Sequence, residues 1–362
     1  MHPTLLKHSA WLQPYSTHKL DPIQKKSLSS PQVLYPLENA PIEWWYFSGH
    51  LHTKASTQEF GYEFCIFKFH PVALAHHALP QFIARPILVL HLALTDTKNK
   101  TFWFTQTIPL TYQIKKSKLN ISFDHTSLTL NKTFHLKTNH EISFDLQLKP
   151  LKKLIKQYNH GFEIMYNKPQ HRTYYVTYPR LATRGTIKKD NHTYRVHGQS
   201  WFDHQKMNLP KNSPLHGWDW FSIMFDDFTE LMLFVLKSKR GVLHQHMGGT
   251  YITKSGRTIS LKPKDIQIKP LTYWQSPKTN ITYPSTWHCT IPSLSLTFTI
   301  TPLILNQELY NKKFNPLTYW EGACIVKGTK SHKPLHGKSY VELVGYDQRW
   351  HTTLLHKVFS SI

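Results

Sequence analysis

Glu43-Trp44-Trp45-Tyr46-Phe47 sets one carboxylate beside four consecutive aromatics, and Trp201-Phe202-Asp203-His204-Gln205 repeats the combination well downstream. A carboxyl walled by rings loses hydration, which raises its proton affinity and lets it act as a proton donor near neutral pH. Trp218-Asp219-Trp220 and Tyr319-Trp320-Glu321-Gly322 pair acid and indole in the same way. Indole faces stabilise a desolvated cation by about 1–2 kcal/mol each, and they serve equally well as packing. Together the four clusters outline an aromatic-walled pocket holding a few titratable groups. The candidate catalytic groups are Glu43, Asp203 and His204. The candidate ligand walls are Trp44, Trp45, Tyr46, Trp218 and Trp220, joined by Asp219, Trp320 and Glu321.

Side chains alternate between the two faces of a strand. In a regular strand Glu43, Trp45, Phe47 and Gly49 share one face, and Trp44, Tyr46, Ser48 and His50 the other. Glu43 is then either a rim carboxylate paired with an arginine such as Arg180, or a buried acid. By the same rule Asp203 goes with Trp201 and Gln205, whereas His204 goes with Phe202. Asp203 and His204 therefore form no dyad in a regular strand: either a bulge re-aims one of them, or each finds its partner on a different element. His244 and His246 share a strand face and could supply two metal ligands, but no third can be named, so no metal is assigned.

The elements that must position these groups read as strands. Segments of five to ten residues alternate apolar with polar and end at Gly, Pro, Asn or Asp. They include 42–52, 60–69, 87–95 and 101–107 in the first half, and 174–178, 182–187, 194–202, 218–225, 230–237, 248–252, 286–291, 319–326 and 340–346 in the second. Asp226-Asp227-Phe228-Thr229 reads as a hairpin turn, with Phe228 where Gly would ease the backbone. Helical candidates are limited to Val72–Ala78 and a turn around Leu151–Tyr158. Many short strands with little helix between them indicate barrels or sandwiches. Strand counts match on either side of the polar stretch at 188–192. The expected organisation is an extension over 1–35, one β domain over 36–190 and a second over 191–362.

The chain has 362 residues, enough for two buried cores, and is 40% hydrophobic and 14% aromatic. Its formal charge is +23, carried by 36 Lys against 8 Arg in short groups spread along the whole length. Nucleic-acid readers rely on arginine forks. A solvated basic surface without a nucleic-acid partner is expected, and weak contact with an anionic membrane surface stays open. Cys65, Cys289 and Cys324 are far apart and form no CxxC pair, which fits free thiols in a reducing compartment. The N-terminus lacks the apolar stretch of a signal peptide, and no apolar run approaches the ~20 residues of a membrane span. A cytoplasmic location follows as the expectation. No motif fixes an oligomeric state.

There is no G-x-S-x-G, G-x-G-x-x-G, Walker loop or H-E-x-x-H, so serine hydrolysis, nucleotide cofactors and zinc proteolysis are not indicated. Seven segments instead carry a resemblance: Pro41–His50 (PIEWWYFSGH), Tyr178–Leu181 (YPRL), Trp201–Gln205 (WFDHQ), Gly217–Ser222 (GWDWFS), the Asp226–Leu233 hairpin, Tyr319–Ala323 and Tyr340–Leu343. In order and type these resemble the lipocalin-like family that contains AttH proteins and carotenoid 1,2-hydratases, over residues 38 to 346. The resemblance implies an all-β fold of two consecutive lipocalin-like (calycin) antiparallel β-barrels, each able to enclose an apolar ligand, with the motif clusters near their contact. It implies hydration, isomerisation or cyclisation of an isoprenoid or polyketide-like substrate with no organic cofactor, or else carriage of a lipid without chemistry. For the hydratase branch it implies protonation of a carbon–carbon double bond and capture of the tertiary cation by water. Glu43 or Asp203 would then be the acid and His204 the base or water-orienting group. The chain departs from that branch at Lys206, where Trp is frequent, and at Leu231–Val235, where the hydratases carry Tyr and Asp.

Overall fold

Alternation of apolar and polar residues builds two antiparallel sheets, one from each part of the chain. The computed structural model describes residues 30–37, 40–54, 58–70, 85–158, 160–165, 171–208, 214–238, 241–310 and 318–347, with the side chains of 241–245 excepted. The helical candidate Val72–Ala78 lies outside the described residues.

The first sheet contains β1 (Ile42–Thr53), β2 (Glu59–Phe69), β3 (Ile87–Asp96), β4 (Thr101–Thr107), β5 (Gln113–Ile114), β6 (Asn120–Phe123), β7 (Thr126–Asn131), β8 (Thr133–Lys137), β9 (Ser143–Pro150), β10 (Ile155–Lys156), β11 (Phe162–Ile164), β12 (Arg172–Lys189) and β13 (His192–Met207). Its order is β4-β3-β2-β1-β13-β12-β9-β8-β7-β6-β5, with β10 and β11 beside β12. The second contains β14 (Gly217–Phe225), β15 (Glu230–Ser238), β16 (Gly241–Ile252), β17 (Thr258–Leu261), β18 (Gln267–Gln275), β19 (Thr282–Ile291), β20 (Leu296–Pro302), β21 (Glu308–Leu309), β22 (Tyr319–Lys330) and β23 (Lys333–Leu343). Its order is β17-β16-β15-β14-β23-β22-β20-β19-β18, with β21 beside β22.

Each sheet curls into a half-barrel around its own core. In the first, Phe47 of β1 meets Phe134 of β8 at 5.2 Å between ring centroids, and Tyr62 of β2 meets Phe144 of β9 at 5.6 Å, although these strands are not neighbours in the sheet. In the second, Phe221 of β14 meets Trp287 of β19 at 5.6 Å. Trp45, Phe47, Phe64, Leu90 and Phe202 fill the first interior; Phe221, Tyr283, Trp287, Phe298 and Trp320 fill the second. Each such side chain contributes about 1.5–3 kcal/mol on leaving water.

The boundary expected near residue 190 does not coincide with the change of sheet. Asp190 and Asn191, at φ 49 and 63, form the β12–β13 hairpin inside the first sheet, and the chain crosses to the second between Met207 and Gly217. A polar, turn-prone pair reads alike in a tight hairpin and in a linker. The expected strands at 174–178 and 182–187 are a single strand, β12, bulged between Tyr178 and Leu181. Pro179 has no N–H for the ladder, and it and Arg180 lie within the irregularity. The turn expected around Leu151–Tyr158 contains the short strand β10. Phe228 adopts φ 62 in the β14–β15 turn, the left-handed conformation anticipated at that position.

The backs of the two half-barrels pack on one another through Tyr46, Cys65 and Trp201 on one side and Trp220, Met232, Ala323 and Tyr340 on the other. Arg180 crosses this contact: Nε donates to Glu230 Oε1 at 2.6 Å and Nη2 to Phe225 O at 2.8 Å. Lys152 donates to Glu230 Oε2 at 2.5 Å and to Thr253 O at 2.9 Å. Arg180 thus pairs with Glu230 of the second sheet, and not with Glu43.

Candidate functional site

Strand register lays the site out as two facing rows. Across the first sheet, Thr177, Asp203, Tyr46, Cys65 and His91 are successive Cα partners on β12, β13, β1, β2 and β3. Across the second, Phe234, Trp220, Glu342 and Glu321 are successive partners on β15, β14, β23 and β22. The rows meet where the Tyr46 hydroxyl donates to Glu321 Oε1 and the Tyr46 ring stands edge-on to Trp220 at 5.4 Å.

Alongside this contact a cavity of about 850 Å³ lies between the sheets. On β2 its wall alternates through Glu63, Cys65, Phe67 and Phe69. At about 3.3 Å per residue those six steps span roughly 20 Å, the length of an extended apolar chain. Glu63, Glu321 and Asp203 mark the acidic end; Ile42, Trp44, Phe69, Met207 and Leu215 make the other end apolar. Met232 and Phe234 present apolar surface from β15. Ile164, 40% exposed, and Lys262 stand at the mouth.

The acids are held with little cationic compensation. Asp203 accepts from Tyr175 OH at 2.6 Å, Thr177 Oγ1 at 2.6 Å and Trp201 Nε1 at 2.9 Å. Burial outweighs these bonds and pushes its carboxyl up to about 7. Trp220 Nε1 donates to Tyr175 OH at 3.1 Å, so the Tyr175 proton is directed to Asp203. Burial and the nearby Asp203 raise Glu342 to about 7, against the Trp218 Nε1 bond of 2.8 Å. Glu342 borders the cavity and is half-buried. Glu63 and Glu321, both buried, are pushed well above the carboxylate range by burial and by carboxyls around them: Glu342 acts on Glu63, and Glu63 and Glu342 on Glu321. Burial lowers His91 to about 3, leaving a neutral imidazole. The Tyr319 hydroxyl lies 2.7 Å from His91 Nδ1 and 3.3 Å from Glu63 Oε1. It has one proton for two acceptors, and a protonated Glu63 satisfies both contacts.

The predicted residues divide by strand parity. Trp44, Tyr46, Asp203, Trp218, Trp220 and Glu321 line the cavity together. Glu43, Trp45 and His204 lie on the opposite face of the first sheet. There Glu43 is ion-paired with Lys68 at 2.8 Å and bonded to His204 Nε2 at 3.0 Å. Burial acts to raise Glu43, but Lys68, His204 and Lys206 hold it down at about 2. Burial first, then Lys206 and Lys68, lower His204 to about 4. Trp45 stacks on His204 at 4.8 Å and donates to Leu34 O at 3.0 Å, and Lys206 donates to Tyr35 O at 3.2 Å. This ionic cluster fastens residues 33–37 over the end of the first half-barrel, and an acid held at about 2 is a poor proton donor near neutrality. Asp219 faces away from the cavity toward Lys237, at 2.7 Å, and Tyr346. Trp320 packs in the second core. β13 is regular at 201–205, so Asp203 and His204 find separate partners on opposite faces.

Glu63, Glu342, His91, Tyr175 and Tyr319 join the site without having been singled out. Glu63 had a signal: Tyr62-Glu63-Phe64 sets an acid among aromatics just as the segment around Glu43 does. His246 lines the cavity, whereas the side chain of His244 lies outside the described residues. No group of three or more His, Cys, Asp or Glu placed to hold a metal occurs among the described residues. All three cysteines are buried free thiols.

An AttH-type protein from Nitrosomonas europaea has a crystal structure similar to this one, with TM-score 0.77 and 24% identity over 90% of this chain and 99% of that one. Kievitone hydratase from Nectria haematococca is similar with TM-score 0.70 and 15% identity over 94% and 98% of the respective chains. At these identities the likeness establishes the shared fold alone. No functionally curated protein matches the sequence. The AttH-like family model matches residues 21–346, and the chain belongs to the AttH-like family.

Proposed function

We propose that the protein hydrates, isomerises or cyclises an elongated isoprenoid or polyketide-like substrate held between its two sheets, with hydration of a branched double bond as the reaction best suited to the site. The observation that carries this reading is a set of buried and half-buried carboxyls, raised well above the usual carboxylate range, facing one another across an aromatic-lined cavity. The likeness in fold to a protein named as a hydratase supports it.

A carboxylic acid from the Glu63–Glu321–Glu342 group would protonate the alkene. The tertiary cation would form beside the rings of Trp218, Trp220 and Tyr46, and the carboxylate left behind would stabilise it. Asp203 accepts three hydrogen bonds and has no need of its own proton to satisfy them, which suits it to take a proton from the attacking water. Tyr175 and Trp201 would hold its carboxylate in place. The acid and base come from different strands, so one group can be protonated while the other is ionised. Glu43 and His204 have no part in these steps and secure the end of the half-barrel.

The test is incubation with branched polyenes, followed by mass spectrometry for the gain of one water. Asp203→Asn should lower turnover by about 10²–10⁴-fold, the usual worth of a general base, while ligand still binds. Unchanged turnover would remove Asp203 from the mechanism. A carrier without chemistry is the second reading, favoured by the apolar Met232 and Phe234 on β15. Lipid retained through purification, with no turnover on any polyene, would select it.

A further inference from the structure

We infer that the cavity binds amphipathic organic cations, with a substituted ammonium seated among Glu63, Glu321 and Glu342 and its apolar tail running along β2 toward Phe69. This depends on the cavity being the ligand site, as proposed above, and not on any turnover there.

The chain has 44 Lys and Arg against 21 Asp and Glu, yet the cavity reverses that balance. Five carboxyls line it: Glu63, Asp203, Glu321 and Glu342 from both sheets, and Glu163 beside Ile164 at the mouth. Among the described residues, the one Lys or Arg on the lining is Lys262, beside Pro263 at the mouth. Lys237 is engaged by Asp219 on the far face of the second sheet and acts on Glu342 through space. The acids therefore have no resident counter-ion in contact with them inside the cavity.

A second, independent observation points to a missing donor. Glu63 is 1% exposed and on the lining, and its Oε2 has no hydrogen-bond partner. Buried polar atoms are normally satisfied. Of the hydroxyls on the lining, Tyr46 is committed to Glu321 and Tyr319 to His91 and Glu63, while the unpartnered Tyr340 hydroxyl stands off the lining. What this end offers a guest is acceptors and ring surfaces.

Those two features select the guest. A fatty carboxylate would add one more anion beside Asp203 and Glu342, which at about 7 are part ionised near neutrality, and a metal ion would need converging donors that the described residues do not provide. A sugar would leave hydroxyls unpaired along the apolar length of the cavity past Phe67, Phe69, Met207 and Leu215. An alkylated ammonium suits both features, since its charge meets the carboxyls and its methyl groups meet the rings. It also carries the charge of the cation expected in the proposed hydration, so an amine of that shape would mimic the high-energy stage of the reaction.

Binding should be linked to protons. Around the three glutamates stand Tyr46 of β1, Cys65 of β2, His91 of β3, Asp203 of β13, Tyr319 of β22 and, off the lining, Tyr340 of β23, itself raised by burial and the glutamates. Burial keeps the tyrosines, the thiol and the imidazole neutral. A cation entering beside the carboxyls favours their ionised form, so protons leave from them.

Calorimetric titration of the full-length protein with dodecyltrimethylammonium, dodecanol and dodecanoate, each below its micelle concentration, tests the assignment. The ammonium should bind at least about tenfold more tightly than the alcohol, and dodecanoate most weakly. Because that head group cannot titrate, a rise of about tenfold in its affinity between pH ~5.5 and ~8 would report ionisation of the protein's acids. Glu63→Gln should erase the preference over dodecanol; Glu321→Gln takes its place if near-UV circular dichroism shows that Glu63→Gln is unfolded. Dodecanol or dodecanoate binding as tightly as the ammonium, or a folded variant that keeps the preference, overturns the cation assignment and leaves the cavity as an apolar ligand site. Binding of none of the three overturns both.

Discussion

Asp203 and Glu43 are buried carboxyls on opposite faces of one sheet, yet one is held near 7 and the other near 2. Burial acts on both alike, and the partners decide: neutral hydroxyls and an indole for Asp203, two lysines and an imidazole for Glu43. Glu43→Gln should therefore cost about 3–5 kcal/mol in urea unfolding, because Lys68 and Lys206 would stay buried without their anion. The Glu43 contribution is fully present above its unfolded value of 4.5 and fades as pH falls toward about 2. Glu342 has the opposite sign. Raised from 4.5 to about 7, it destabilises the fold fully above about pH 7 and not at all below 4.5. Thermal melts should find Glu342→Gln more stable than the parent at pH ~8, with the difference closing toward pH ~4.5. An acid among aromatics was legible from residue order, but the sign of its shift was not. That depends on Lys68, on β2, which no spacing in the sequence ties to Glu43.

At the scale of the strand, the period of two sorted almost every candidate. Parity alone separated Asp203 from His204, Trp44 and Tyr46 from Glu43 and Trp45, and the two indoles around Asp219 from that carboxylate. It could not say which face borders the cavity, because both faces of β1 and β13 are buried. Glu63 and Glu342 escaped for this reason, since their importance appears only when the backs of two sheets meet. That meeting is close at Gly61 of β2, where a Cβ would stand 2.4 Å from Ala323 Cβ on β22. Gly61→Ala should destabilise by about 1–3 kcal/mol through overpacking. Adding Ala323→Gly should recover part of the loss in the same chemical denaturation experiment, and no recovery would place the strain elsewhere.

Taken whole, the molecule holds its cavity of about 850 Å³ between two half-barrels, whereas the resemblance led to the expectation of barrels each able to enclose an apolar ligand. Bulky residues alternate with the cavity set and pack the interiors, Trp45 and Phe47 behind Trp44 and Tyr46, Phe221 behind Trp220, while a smaller hollow of about 320 Å³ opens in the first half-barrel beside Phe60, Leu94 and Trp103. The doubling of the architecture was legible in the strand count. The crossing point was not, because Asp190-Asn191 has the composition of a linker and the geometry of a hairpin. Formal charge has a further consequence at this scale. With a formal charge of +23 over the whole chain and carboxyls turned into the cavity, an ammonium guest must climb a repulsive potential before it meets any attraction. Added salt shortens the range of that barrier, to about 8 Å at physiological ionic strength. Stopped-flow tryptophan fluorescence should then record capture that quickens as salt is raised, the reverse of ordinary electrostatic steering.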